Sequence, residues 1–208
     1  MDIPKISELI EQVKKNNKKG ITTFESLLEE YPYWYRHLSL NAIDADVADV
    51  INSMICFWNA MDDEDDIPAE DRKPIYIIID SPGGDVQATL TIIDAIKLSV
   101  TPVITVNIGA AYSGGFFVFI NGDRRIAYPH STFLYHEGCT EMGGDANKFQ
   151  NWSDFYKKIL LRLKETTLSN TKITPELYEE KRRDDWWIEA EEAVSLGIAD
   201  EICHKLIY

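Results

Sequence analysis

In the segment Ile108-Gly109-Ala110-Ala111-Tyr112-Ser113-Gly114-Gly115, a serine stands where a β-branched run stops and an apolar run with helical spacing starts. A serine at such a junction has an exposed hydroxyl. The positive end of the following helix presents backbone N–H groups to an oxyanion developing beside it. Gly109, Gly114 and Gly115 let the chain turn sharply and approach a substrate closely. The position is equally a favoured helix N-cap, a role that involves no chemistry. A second turn, Ser81-Pro82-Gly83-Gly84, also follows a β-branched run. Its glycines expose N–H groups suited to an oxyanion hole or to an extended peptide, or they simply connect strand to helix. The G-x-G-x-x-G spacing of a dinucleotide site is lacking. His136 ends a short strand pattern, and a neutral imidazole there can take a proton from a serine hydroxyl if an acid fixes its tautomer. A lone histidine more often serves structure. His130 and His136 lack metal-binding i, i+4 spacing, so neither a metal nor another cofactor is expected. Asp185 is one of many acids, and spacing alone does not single it out from a solvated helix-terminus charge.

The elements that would position these residues alternate between strand and helix. Ile75 to Asp80 reads as a buried parallel strand and is followed by an amphipathic helix from Val86 to Leu98. Val103 to Ile108 is the next strand, followed by a glycine-containing turn and an apolar helix through Ile120. Two successive β-turn-α units with right-handed crossovers predict an α/β layered fold with its site at the carboxyl ends of the strands, where Gly84 and Ser113 converge. Short strands are predicted near Tyr35 to Leu40, Arg125 to Tyr128 and Thr132 to His136. Helices are predicted from Asp44 to Met61 and from Asp145 to Leu168, with an exposed acidic loop over Asp62 to Asp71. Pro175 to Gly197 reads as helical with a break at Asp184 to Trp187. Residues 1–30 read as a helical appendage, with Ile6, Leu9, Ile10 and Val13 on one apolar face, ahead of a main domain over 31–208.

A chain of 208 residues can bury one full core. Its net charge of −14 opposes binding to nucleic acid or to an anionic membrane surface. Cys56, Cys139 and Cys203 are odd in number and far apart, which fits a reducing cytoplasm better than a disulfide framework. The uncharged stretch Leu98 to Gly122 is long enough for a membrane span. Pro102, Asn107, Gly109 and the Ser113-Gly114-Gly115 run divide it into strand, turn and helix instead.

In combination and order, Ile79-Asp80-Ser81-Pro82-Gly83-Gly84, Ile108 to Gly115, Tyr128-Pro129-His130-Ser131 with Leu134-Tyr135-His136, and Glu192-Ala193-Val194 with Leu196-Gly197-Ile198-Ala199-Asp200 resemble the proteolytic-subunit family of the ATP-dependent Clp protease. The resemblance runs from about Tyr35 to Ile202. It implies a Clp protease/crotonase-like layered α/β fold with a protruding handle helix over about 138–172. It also implies a serine endopeptidase with Ser113 as nucleophile, His136 as general base and Asp185 as the orienting acid. By the same resemblance the backbone N–H groups of Gly84 and Gly114 would form the oxyanion hole. A peptide or unfolded protein would add a strand beside Gly83, Gly84, Asp85 and Val86, with Met142, Gly143 and Gly144 on its other side. Homo-oligomerisation into heptameric rings, two of which form a tetradecameric chamber, is implied as well, and so is an AAA+ unfoldase partner.

Four departures bear on those expectations. Gly114 follows the serine where the family has methionine, which spares a backbone donor. Tyr112 replaces a small residue and is expected to crowd the pocket or alter side-chain preference. Glu137-Gly138 stands where Gln-Pro is usual. The helical, charged start differs from the extended pore-lining segment of family members, which argues against unfoldase coupling. Alternatives on the same kind of fold are a Ser-Lys peptidase, a crotonase-type enzyme, or a catalytically silent scaffold subunit.

Overall fold

A computed structural model describes residues 35–138 and 144–207. The expected appendage over 1–30, together with Met142 and Gly143, lies outside the described residues. The order of elements is β1 (His37–Leu40), α1 (Ala45–Glu64), β2 (Ile75–Ser81), α2 (Val86–Leu98), β3 (Val103–Tyr112), α3 (Gly114–Phe119), β4 (Arg124–Ala127), β5 (Thr132–Tyr135), α4 (Ala146–Asn170), α5 (Pro175–Lys181), β6 (Trp186–Glu189), α6 (Ala190–Ser195) and β7 (Glu201–Ile202). Strands β1, β2, β3, β4 and β7 lie side by side in that order and pair in parallel. The mixed α/β layers agree with the fold class expected from sequence.

Strand β2 shows why the pattern reads as it does. Ile75, Ile77 and Ile79 are fully buried against helices that contribute Ile51, Ile55, Trp58, Ile92 and Phe116 to one core. Tyr76 and Ile78 point to the other face, where Ile104, Val106 and Ile126 form a second, smaller apolar group. A parallel strand covered on both faces loses polar–apolar alternation and becomes a continuous apolar run.

The site depends most on β3, which changes partners along its length. Ile104 to Asn107 pair with β4, whereas Ala110 to Tyr112 pair with β5. Buried Asn107 sits at the change. Its side-chain amide donates to the Thr132 carbonyl at 2.9 Å, and its side-chain oxygen accepts from the Gly109 N–H at 3.1 Å. A Cβ at Gly109 would lie 2.5 Å from the Asp80 carboxylate, which would have to shift to admit it. Asp80 in turn accepts the Ala110 N–H at 3.0 Å. The strand therefore continues four residues past the predicted end at Ile108.

Other boundaries differ for local reasons. α1 runs through the start of the predicted acidic loop. Asp62 is buried, accepting Arg36 at 2.6 and 2.7 Å and the Thr101 hydroxyl at 2.7 Å. The predicted break within Pro175 to Gly197 is strand β6, antiparallel to β5. Leu98 to Gly122 folds as a strand and a short helix. Among the described residues no helix is long and apolar enough to cross a membrane.

Candidate active site

Ser113 occupies the single residue between β3 and α3, with φ 53° and ψ −118°. A side chain in that region is strained by roughly 1–3 kcal/mol, a conformation that persists only where surrounding structure enforces it. Here the Ser113 N–H donates to the Leu134 carbonyl at 2.9 Å, tying the bend to β5. The Ser113 side chain makes no capping bond to α3, so the plain N-cap reading does not describe it. Gly114 is the first residue of α3, and its N–H is one that a helix start leaves without an intrahelical acceptor.

The Gly83-Gly84 turn packs directly against this bend. A Cβ at Gly83 would lie 2.8 Å from both the Gly114 nitrogen and the Ser113 Cβ. A Cβ at Gly114 would lie 3.5 Å from the Gly84 nitrogen. The two candidate oxyanion donors thus share one small volume beside Ser113. The turn is held by the Ser81 hydroxyl accepting the Gly83 N–H at 3.1 Å. It is also held by Ile43, whose N–H donates to Gly83 and whose carbonyl accepts from Asp85. Asp85 itself caps α2, accepting the Ala88 N–H at 2.8 Å.

His136 and Asp185 arrive through the β5–β6 ladder. Its register pairs Thr132 with Glu189, Phe133 with Ile188, Leu134 with Trp187 and Tyr135 with Trp186. One further step along the same register sets His136 opposite Asp185. On the other side of β5, Tyr112 pairs with Leu134, so Ser113, His136 and Asp185 follow or precede the ends of three adjacent strands. A narrow cleft is lined by Ser113 and His136 together with Gly84, Val86, Thr89, Gly114, Phe117, Glu137, Gly138 and Leu163. Asp185 is exposed and lies outside that lining. Among the described residues no hydrogen bond joins the three side chains. Catalytic hydrogen bonds are often long in unliganded enzymes and tighten in the substrate complex.

Tyr112 does not crowd the cleft. Its hydroxyl meets that of Thr132 at 2.8 Å, and its ring meets Trp187 edge-on at 5.2 Å, on the opposite side of the strand end. Gly144 is exposed ahead of α4. Several contributors went unnoticed in the sequence. Thr89 and Leu163 line the cleft from α2 and α4, and Glu137 accepts the Arg182 guanidinium at 2.9 and 3.1 Å. Hydrophobic spacing signalled that these helices are amphipathic but not which of their residues face the serine. Among the described residues no lysine lines the cleft, and no group of His, Cys, Asp and Glu suited to a metal occurs.

A mostly parallel sheet with a strained serine between strand and helix, beside a glycine turn, defines a layered α/β protein. The Clp protease family model matches residues 35–205. The chain is 32% identical over 183 residues to the ATP-dependent Clp protease proteolytic subunit 2 of Tropheryma whipplei (strain Twist), covering 87% of this chain and 95% of that protein. It is 33% identical over 159 residues to the corresponding subunit 2 of Prochlorococcus marinus (strain NATL2A), covering 74% and 76%. It is 31% identical over 159 residues to subunit 3 of Synechococcus sp. (strain CC9605), again covering 74% and 76%. This chain belongs to the Clp protease family of peptidases.

Proposed function

We propose that this protein is a serine endopeptidase that hydrolyses peptide bonds through Ser113, His136 and Asp185. The observation that supports this reading is the adjacency of strands β3, β5 and β6, whose ends carry serine, histidine and aspartate in the order in which the histidine would take the serine proton and the aspartate would orient the imidazole. The Ser113 hydroxyl attacks the peptide carbonyl while His136 accepts its proton, and Asp185 holds the imidazole. The tetrahedral oxyanion takes hydrogen bonds from the Gly84 and Gly114 N–H groups, donors worth on the order of 3 kcal/mol each in comparable sites. Collapse breaks the C–N bond, and His136 returns the proton to the leaving amine. Water, deprotonated by His136, then hydrolyses the acyl-serine. No step consumes a nucleotide, so short peptides are substrates without ATP.

An extended substrate would lie beside Gly83 to Val86, with Met142 to Gly144 on its other flank, and main-chain pairing would make sequence tolerance broad. The exposed half of α4 supports assembly into rings that enclose the sites. Its buried residues are Ile159, Leu163 and Thr167, whereas Phe149 and Phe155 are about half exposed on the projecting half. Family members carry out peptidolysis as oligomers, and heptameric rings stacked in pairs are the arrangement proposed here.

The test is reaction with a fluorophosphonate probe, with the adduct located by mass spectrometry. Labelling of Ser113 is expected, falling at least a hundredfold in His136→Ala and vanishing in Ser113→Ala. Absence of labelling in every assembly state would sink the peptidase reading in favour of a silent scaffold.

A further inference from the structure

The residue that follows His136 carries a carboxylate, and both line the cleft with Ser113. A further carboxylate beside a general base favours the imidazolium, so that a larger share of the base is protonated at a given pH and cannot accept the serine proton. Glu137 is not uncompensated. Arg182, the C-cap of α5, places one guanidinium nitrogen 2.9 and 3.1 Å from the two Glu137 oxygens, and its Nε donates to Glu179 at 2.6 Å. Lys164 of α4 donates to Glu179 at 2.5 Å. The Tyr156 hydroxyl of α4 donates to the Glu137 backbone carbonyl at 3.3 Å. The chain leaving His136 is thus held at both its side chain and its backbone by two helices. Arg182 and Glu137 form one wall of a cavity of about 350 Å³ directly behind the cleft.

We propose that Arg182 is a positioning residue for His136, anchoring the segment after β5 through Glu137 and cancelling that carboxylate's charge next to the general base. The inference rests on the reading of His136 as the base. The remaining cleft residues, Gly84, Val86, Thr89, Gly114, Phe117, Gly138 and Leu163, are uncharged. The nearby charges are Asp85 beside the glycine turn, Asp184 and Asp185 before β6, and Lys157, Lys164 and Glu179 on the cavity wall. Among the described residues Glu137 is therefore the one charged side chain lining the cleft with His136, and Arg182 is its bonded counter-ion.

Removing Arg182 leaves Glu137 negative, which favours imidazolium and moves the alkaline rise of activity to higher pH. Arg182→Met is expected to raise the pH of half-maximal Ser113 labelling by roughly half to one unit, as suits a partly exposed pair. Its labelling rate at neutral pH should fall about 3- to 10-fold. Adding Glu137→Gln to Arg182→Met should return that pH to the wild-type value, which a purely structural role for Arg182 would not do. Glu137→Gln alone, close in shape to wild type, should shift it in the opposite direction and serves if Arg182→Met does not fold. Unchanged pH profiles in Arg182→Met and Glu137→Gln, or a shift that persists in the double variant, would overturn the proposal. The imidazole titration of His136, followed by NMR, reads the same charge effect whether or not Ser113 reacts. A moved NMR midpoint without any labelling would leave the positioning intact and remove the peptidase reading.

Discussion

Backbone conformation at Ser113 and Gly84 sets stability against reactivity in opposite directions. Ser113 holds φ 53° and ψ −118°, a region that glycine enters freely and other residues enter at a cost. Ser113→Gly is therefore expected to raise stability by about 1 kcal/mol, after allowing for glycine's greater unfolded entropy, while abolishing fluorophosphonate labelling. Thermal unfolding together with labelling checks both halves. Gly84 is the reverse case. Its φ is 156°, and a Cβ would stand 2.0 Å from the Ile43 carbonyl oxygen, a backbone atom that cannot swing away. Gly84→Ala should lose about 2 kcal/mol or more of stability by chemical denaturation and most of the Ser113 reactivity, since the displaced nitrogen is the proposed oxyanion donor.

Among the elements, α1 is fastened to the sheet by a charge, and that charge makes the attachment sensitive to acid. Asp62 is 1% exposed and lies against Arg36 from the end of the segment entering β1. Burial alone would raise its carboxyl, but hydrogen bonds from Arg36 and Thr101 and the charges of Arg36 and Arg72 prevail and hold it below the usual carboxylate range. A depressed folded value means the stabilisation is complete above the ordinary carboxylate pKa and is lost as pH falls through the folded one. Asp62→Ala leaves the half-buried Arg36 with only the Lys73 carbonyl as acceptor among the described residues and should cost about 3 kcal/mol at neutral pH. The variant should also show a shallower loss of stability below about pH 4 in denaturant titrations. Equal acid slopes in variant and wild type would rule out Asp62 as a source of acid sensitivity. His37 adds a second window. Burial pushes its imidazole below the ordinary 6.5, so the unfolded chain binds the proton first and stability declines as pH drops below that value.

For the whole molecule, exposed apolar side chains exceed what a lone protomer needs. Val50 and Phe57 lie on α1, Leu98 and Val100 at the end of α2, Phe149, Phe155 and Leu161 on α4, and Trp187 on β6. Phe149, Phe155 and Leu161 on the one helix α4 are the group best suited to contacts between chains. The protein is expected to sediment far above its 23.8 kDa protomer mass, and Phe149→Glu with Phe155→Glu should reduce the assembly by at least half. Light scattering after size exclusion checks this, and wild type at protomer mass would refute it.

Strand and helix identity for β2, α2, β4, β5 and α4 was legible in the sequence, because covered parallel strands produce β-branched runs and amphipathic helices repeat every three to four residues. β6 was not legible. Its four residues, Trp186 to Glu189, sit between two helical patterns and become a strand only by pairing with β5. Asp62 read as exposed, since nothing local announces a partner such as Arg36, 26 positions away. The sequence by itself determined the order of the elements from β1 to α4, the glycine turns and the residue types able to do chemistry, all of which rest on local backbone and periodicity rules. Only the tertiary structure decided that the ends of β3, β5 and β6 stand side by side. It also decided that Gly84 and Gly114 share one pocket and that Glu137 meets Arg182, because strand register and ion pairing depend on contacts between distant segments.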